Sequence, residues 1–290
     1  MPSENLRATL ESELNLKITS FIPIGGGSIN QSFQLQLKNQ PPLFLKTHTH
    51  PPNDFYQAEA LGLCELKKAN SFRIPEVILH STHFLVLEWI ESANKTSNFY
   101  QTAGKLLAKQ HQLQSELGFG FSQSNFIGLT PQENTWTHGW ITFWKNRRLG
   151  PQIRKAASHL DTEMRSAFHE LYKKIPDLLG DSAEEPPVLL HGDLWGGNHI
   201  CDSSRSPCLI DPAVYYGNRE ADLAMTTLFS GYPREFHESY EKSLPLKAGF
   251  WEKRIYLYQL YHLLNHLNLF GASYLTNVKL TLQTLLTCAP

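Results

Sequence analysis

The stretch His191-Gly192-Asp193-Leu194-Trp195-Gly196-Gly197-Asn198, with the Ile210-Asp211-Pro212 that follows it, constrains this chain more than any other feature. Two short apolar runs, Pro186 to Leu190 and Cys208 to Ile210, read as strands flanking a glycine-rich loop. Such a loop presents a carboxylate, an amide five residues later and a second carboxylate after the next strand. That order and spacing suits phosphoryl transfer. Asp193 is the expected catalytic base, orienting and deprotonating an acceptor hydroxyl, because a loose transition state asks more for alignment than for basicity. Asn198 and Asp211 are the expected ligands of magnesium, which takes oxygen donors and keeps several waters. Taken singly, each of the three reads as a turn residue. In this order, with His191 in front, they read as one site. His191 is expected to position the loop by hydrogen bonds, and Asp222 to brace it as a buried carboxylate.

The first part of the chain supplies what a nucleotide needs. Gly25-Gly26-Gly27-Ser28 lies between two expected strands and could set backbone N–H groups over phosphates. It lacks the Gly-Lys-Ser/Thr ending of a P-loop and the full Gly-x-Gly-x-x-Gly of protein kinases, so alone it reads as a glycine hairpin turn. Lys46 ends an apolar strand and Glu59 sits in the next helix. Alone they read as a solvated strand end and an exposed helix face. Between the glycine loop and the Asp-Asn-Asp set they read as the pair that holds the α- and β-phosphates of ATP. Phe84 to Ile90 is an apolar strand whose backbone, at Glu88 and Ile90, is expected to face adenine; the plainer reading is a core strand.

Periodicity places the remaining elements. Leu6, Leu10 and Leu14 mark an opening helix, and Lys17 to Ile24, Ile29 to Leu37 and Leu43 to Lys46 read as strands, with a turn over Lys38 to Pro42. Asp54 is expected to cap a helix running to Ala69. Strands follow near Val77 to Leu79 and Phe84 to Glu88. After Trp89 the pattern turns helical: Phe99 to Leu113, Trp140 to Arg148, Thr162 to Leu179, Arg219 to Phe229, Phe250 to Phe270 and Ser273 to Leu286. The expected class is α+β, with a nucleotide-binding lobe over residues 1–89 and a catalytic and substrate-binding lobe over 90–290, meeting at a cleft.

Composition excludes several classes. A formal net charge of -1 offers no basic surface for nucleic acid or an anionic membrane. The first residues lack a basic and apolar signal pattern. The longest apolar-rich stretch, Ile255 to Phe270, is broken by Gln259, His262, Asn265 and His266, short of the roughly twenty apolar residues of a membrane span. The four cysteines show no metal-ligand spacing and read as reduced thiols of a cytoplasmic protein. His262 and His266 stand four apart, as zinc ligands can, but no Glu follows the first His, so they read as packed helix residues. Nothing in the sequence sets an oligomeric state.

With these residues in hand, the chain resembles the fructosamine kinase (ketosamine-3-kinase) family, within the aminoglycoside phosphotransferase and choline kinase-like group. The resemblance rests on Gly25 to Asn30, Leu45-Lys46, Glu59, Leu190 to Asn198, Ile210 to Ala213, and Tyr215-Tyr216-Gly217-Asn218-Arg219-Glu220-Ala221-Asp222-Leu223-Ala224. His-Gly-Asp marks the wider group, while Trp195 and the run through Ala224 point to fructosamine kinases. The resemblance implies a protein kinase-like bilobal fold, and ATP-dependent phosphorylation of the C3 hydroxyl of small-molecule or protein-bound ketoamines. Trp195 is then placed to stack on the sugar face, against ordinary core packing as the other reading. Ser28 stands where many family members carry Cys, which argues against a thiol switch there. His199 stands where an apolar residue is usual.

Two other readings stay open at this point. A related kinase could act on an aminoglycoside, choline or another alcohol, although no dense acidic cluster for a polycation follows Tyr232. A non-catalytic pseudokinase is the other, against which the complete set of catalytic residue types argues. A eukaryotic-type protein kinase is disfavoured by the absence of His-Arg-Asp, Asp-Phe-Gly and Ala-Pro-Glu.

Overall fold

The computed structural model describes residues 3–25, 29–229 and 231–287. Helix α1 (Glu4–Leu14) opens on Ser3, whose hydroxyl accepts the Leu6 amide at 3.2 Å, and closes on Asn15 in the left-handed conformation. Strands β1 (Ile18–Ile24), β2 (Gln31–Leu37) and β3 (Gln40–Thr47) precede helix α2 (Phe55–Lys68), and β4 (Val77–His80) and β5 (Phe84–Glu88) follow it. All five strands form one antiparallel sheet in the order β1-β2-β3-β5-β4.

Side-chain alternation decides which face each residue serves. Leu35, Leu45, Phe84 and Val86 pack with Leu10 of α1 on one face. Leu85 and Leu87 pack with Tyr56, Leu63 and Leu66 of α2 on the other. Lys46 pairs with Leu85 in register and so shares the α2 side. A lysine is therefore carried into the interior by strand parity, next to a helix that holds Glu59.

Two local expectations are corrected. The turn is confined to Lys38 and Asn39, and Pro41 and Pro42 lie inside β3. The strand tolerates them because the β2 register shifts there and pairing with β5 begins only at Leu43. Asp54 stands at the start of α2, but with φ of 60° its side chain makes no capping bond.

Helices dominate the rest of the chain. Helix α3 (Phe99–Gln110) is followed by a hairpin of β6 (Asn125–Ile127) and β7 (Thr130–Gln132). Helices α4 (Trp140–Phe143) and α5 (Gly150–Lys155) are joined by a wide π turn, and α6 (Thr162–Leu179) is capped by Asp161. Then come β8 (Val188–Leu190), β9 (His199–Cys201), β10 (Pro207–Leu209) and β11 (Tyr215–Gly217). Helices α7 (Glu220–Met225), α8 (Arg234–Ser243), α9 (Ile255–Phe270) and α10 (Leu275–Thr287) close the chain. The strands flanking the glycine-rich loop do not pair with each other: β8 pairs with β11, and β10 with β9.

Helices α3 and α8 cross with Gly104 at their contact. A Cβ there would collide with the Phe236 carbonyl and crowd the Tyr240 amide. The close approach matters for the site, because the Tyr240 hydroxyl lies 2.8 Å from Nδ1 of His111, and Nε2 of His111 faces Asp222 at 3.4 Å. Alanine in an isolated helix would gain about 1 kcal/mol over glycine. Here the collision reverses the sign: Gly104→Ala should lower unfolding free energy by about 2 kcal/mol, measured by urea denaturation. A more stable variant would show that the two helices can separate freely.

Candidate functional site

The glycine-rich loop is held by its neighbours rather than by its own structure. Asp222, at the start of α7, accepts the backbone amides of His191 at 2.7 Å and Gly192 at 2.8 Å. Burial works against its charge, but hydrogen bonding to His111 and the surrounding donors hold its pKa below the usual carboxylate value. His191 is fully buried, with Nε2 2.9 Å from the Ile210 carbonyl and Nδ1 accepting the Asp193 amide at 3.3 Å. That pairing sets its tautomer, and burial lowers its pKa, so it is a neutral positioning group, as its sequence context leads one to expect. Gly192 (φ 82°) has no room for a Cβ against the Ala213 carbonyl.

Asp193, Asn198 and Asp211 meet as expected. Asn198 Nδ2 donates to the Asp193 carbonyl at 2.9 Å and to Asp193 Oδ2 at 3.2 Å, with the Asp211 carbonyl at 3.5 Å. These contacts orient the amide and leave its oxygen for another partner. Lys46 Nζ lies 2.7 Å from Glu59 Oε1 and 2.6 Å from Asp211 Oδ1. Its side chain is 5% exposed while that of Asp211 is 39% exposed. Burial disfavours the ammonium, but Asp211 and Glu59 outweigh it and raise the lysine pKa above its ordinary value. Burial, then the charge of Asp211, pushes Asp193 up to about 7, opposed by Asn198 and Lys46.

All these groups line one cleft of about 820 Å³ beneath the sheet. Gly25 lines it too; Gly26, Gly27 and Ser28 lie outside the described residues. Glu88, Trp89 and Ile90 form its edge beside Phe44 and Pro75. The Glu88 amide already donates to the Glu76 carbonyl at 2.8 Å, and its carboxylate accepts from the Arg73 guanidinium at 2.5 Å. Arg73 also binds Asp202 in the β9–β10 turn at 2.7 Å, tying the sheet edge to the segment after the glycine-rich loop. Trp195 is partly exposed in the cleft, with its indole lying where a Cβ on Gly197 would be.

The opposite wall was not legible in the sequence. Phe229 stacks on His266 with centroids 4.1 Å apart, and Tyr274 and Phe270 pack around that pair. His266 and Phe270 stand four apart on α9, but Phe229 follows α7 and Tyr274 lies in the turn before α10, so no spacing marks the wall as a whole. Burial lowers His266 to about 4, which leaves it neutral at neutral pH. His199 turns away from the cleft into Phe72, Phe99 and Tyr232, and burial lowers it to about 3.

The chain is similar to several known proteins. The family model described as fructosamine kinase matches residues 3–288. A Synechocystis sp. protein named "Probable ketoamine kinase" is 38% identical over 87% of this chain and 85% of its own length. The chloroplastic protein-ribulosamine 3-kinase of Arabidopsis thaliana is 36% identical over 89% of this chain and 80% of its own. A solved structure from Thermobifida fusca described as a "putative fructosamine-3-kinase" superposes with a TM-score of 0.89 at 31% identity, covering 99% of this chain and 100% of that one. The ADP-bound aminoglycoside phosphotransferase APH(2'')-Ib, 17% identical with a TM-score of 0.67 over 98% of each chain, shares the kinase-like fold.

The raised pKa of Asp193 links stability to pH. An acid raised in the folded state to about 7 contributes stability that is complete below its unfolded pKa and lost as pH rises through about 7. Asp193→Asn cannot lose it. In EDTA without nucleotide, its melting temperature should match the parent near pH 4 and exceed it above pH 7, by the equivalent of about 2 kcal/mol once partial exposure is allowed for. A difference that does not vary with pH would place the Asp193 titration elsewhere.

Proposed function

The chain belongs to the fructosamine kinase family, and from that premise we propose that it moves the γ-phosphoryl group of ATP to the C3 hydroxyl of ketoamines. Ketoamines are sugars joined through a rearranged Schiff base to an amine, such as fructosamine and ribulosamine adducts. The observation that carries the reading is Lys46, buried between Glu59 and Asp211 in the same cleft as Asp193 and Asn198. A buried cation with two carboxylates is the arrangement that lets one carboxylate turn to metal while the lysine turns to phosphate.

The donor set fits magnesium. Asp211 offers a partly exposed carboxylate, and Asn198 an amide oxygen whose NH₂ is already occupied. Both are oxygen donors, few in number, as this hydrated cation prefers. When bound, magnesium would neutralise charge on the phosphates; Asp211 and Asn198 would hold it. Lys46, oriented by Glu59, binds the α- and β-phosphates, with Gly25 in the lining of the same cleft. The backbone at Glu88 and Ile90 takes adenine. Residues 1–89 thus serve the nucleotide and residues 90–290 the acceptor and the chemistry.

Asp193 receives the proton of the C3 hydroxyl as its oxygen attacks phosphorus. Trp195 covers the sugar face, opposite the Phe229–His266 wall. The only carboxylates among the described residues lining the cleft are Glu59, Glu88, Asp193 and Asp211, and all but Asp193 already have cationic partners. That wall suits a sugar with one amine better than a polycationic aminoglycoside. In the product, enolisation towards C1 lets the nitrogen lone pair expel phosphate from C3, and hydrolysis of the resulting imine frees the amine. The chain would then serve deglycation. No helix among the described residues is long and apolar enough to cross a membrane. Buried Cys201 and Cys208 are free thiols, the state that a reducing cytoplasm maintains.

Two experiments test the reading. Purified protein should form ADP with fructosamine or ribulosamine in magnesium, and Asp193→Ala should lower kcat about 10³-fold while ATP binding changes little. No ketoamine-dependent ADP from the parent protein would refute the acceptor, and undiminished turnover in the variant would refute the base. Trp195→Ala should raise the KM for ketoamine about tenfold and leave the ATP constant alone; an unchanged KM returns Trp195 to a packing role.

A further inference from the structure

Asp211 carries φ of 56°, a left-handed conformation that is uncommon outside glycine. Pro212 follows it, and a proline restricts the residue before it towards extended backbone. Such a conformation persists only where the surroundings over-determine it. Upstream of Asp211 the Ile210 amide is fixed on the Asn198 carbonyl at 3.1 Å, and downstream of it the Ala213 amide is fixed on the His191 carbonyl at 2.9 Å. The Ala213 and Val214 carbonyls are taken by side chains of the β6–β7 hairpin, 81 and 89 residues away in sequence.

Asn125 Nδ2 donates to the Val214 carbonyl at 2.7 Å, and Gln132 Nε2 to the Ala213 carbonyl at 3.1 Å. Neither amide is free to turn. Gln132 also donates to Asn125 Oδ1 at 2.8 Å, and its own oxygen accepts the Tyr261 hydroxyl of α9 at 2.7 Å. Asn134 donates to Asn125 Oδ1 at 2.9 Å and is itself held by Arg148 at 2.6 Å. Asn125, Gln132 and Tyr261 are at most 4% exposed, so water does not substitute for a lost partner. The hairpin also reaches the nucleotide side: Phe126 packs edge-on against Phe55 of α2, and a Cβ on Gly128 would meet Ile29 after the glycine loop.

Resting on the magnesium-nucleotide reading above, we infer that Asn125 and Gln132 are positioning residues that hold the Asp211 segment in its left-handed conformation through the Ala213 and Val214 carbonyls. The hairpin sets the metal-facing carboxylate in place permanently, with no segment that has to be switched. Its removal should loosen metal-dependent nucleotide binding and spare the binding that Lys46 and the cleft walls supply without metal.

The experiment is calorimetric titration of ADP in magnesium and in EDTA, with Gln132→Met and Tyr261→Phe alongside the parent protein. The ratio of the two affinities isolates the metal-dependent part and needs no turnover or acceptor. The inference expects that ratio to fall about tenfold in Gln132→Met and about threefold in Tyr261→Phe, with ADP affinity in EDTA held within about twofold. Tyr261→Phe removes one hydroxyl that bonds Gln132 rather than a proposed metal ligand, and it keeps the test valid where Gln132→Met folds poorly. A ratio equal to the parent's in either folded variant, whatever its melting temperature, overturns the inference. No magnesium enhancement in the parent removes the nucleotide reading, and the inference with it.

Discussion

The buried Lys46 ammonium between Glu59 and Asp211 is the interaction on which the rest of the arrangement depends. It joins three elements at one point: β3, α2 and the segment after β10. Taking a lysine out of water is unfavourable unless its charge is met closely, and removing one partner of such a group leaves the others uncompensated. The interaction is therefore less a source of stability than a specification of geometry. It requires α2 to lie against the sheet at the height of Glu59, and the Asp211 segment to rise to the underside of the sheet.

The catalytic loop depends on a second layer of the same kind. Asp222 gathers the amides of His191 and Gly192, and His191 in turn bridges the Asp193 amide and the Ile210 carbonyl. Each polar atom used in this way is one that burial would otherwise penalise. The contacts of His111 and Tyr240 carry the constraint outward to α3 and α8, whose close approach at Gly104 keeps that chain of partners aligned. A glycine in a helix interior and a histidine in a core, odd by local preference, are explained by the loop they serve.

Much of this could be read from the chain alone, and what could not has a common cause. The five-stranded sheet and the long helices announce themselves because alternation and helical spacing repeat over many residues. Asp193, Asn198 and Asp211 were legible because they fall in one local stretch. The β6–β7 hairpin was not, since each strand has three residues and carries no period. Helix α8 was missed as well: its residues are mostly polar, with only Phe236 and Tyr240 buried. The turn over Pro41 and Pro42 was misplaced because a proline signals a break only where its missing N–H is needed, and in β3 it is not.

The sequence by itself determined the chemistry available to this protein: which residues carry the charges, in what order, and which strand face and loop each belongs to. Those are local properties, set by residue type and by periods of two and 3.6. The tertiary structure decided which of them meet. Only folding puts Lys46 beside Asp211, places Phe229 against His266 as a cleft wall, and lets Asn125 and Gln132 hold carbonyls far along the chain. Contacts between distant segments leave no spacing to read, because they depend on how whole elements pack and on which buried polar groups must find partners.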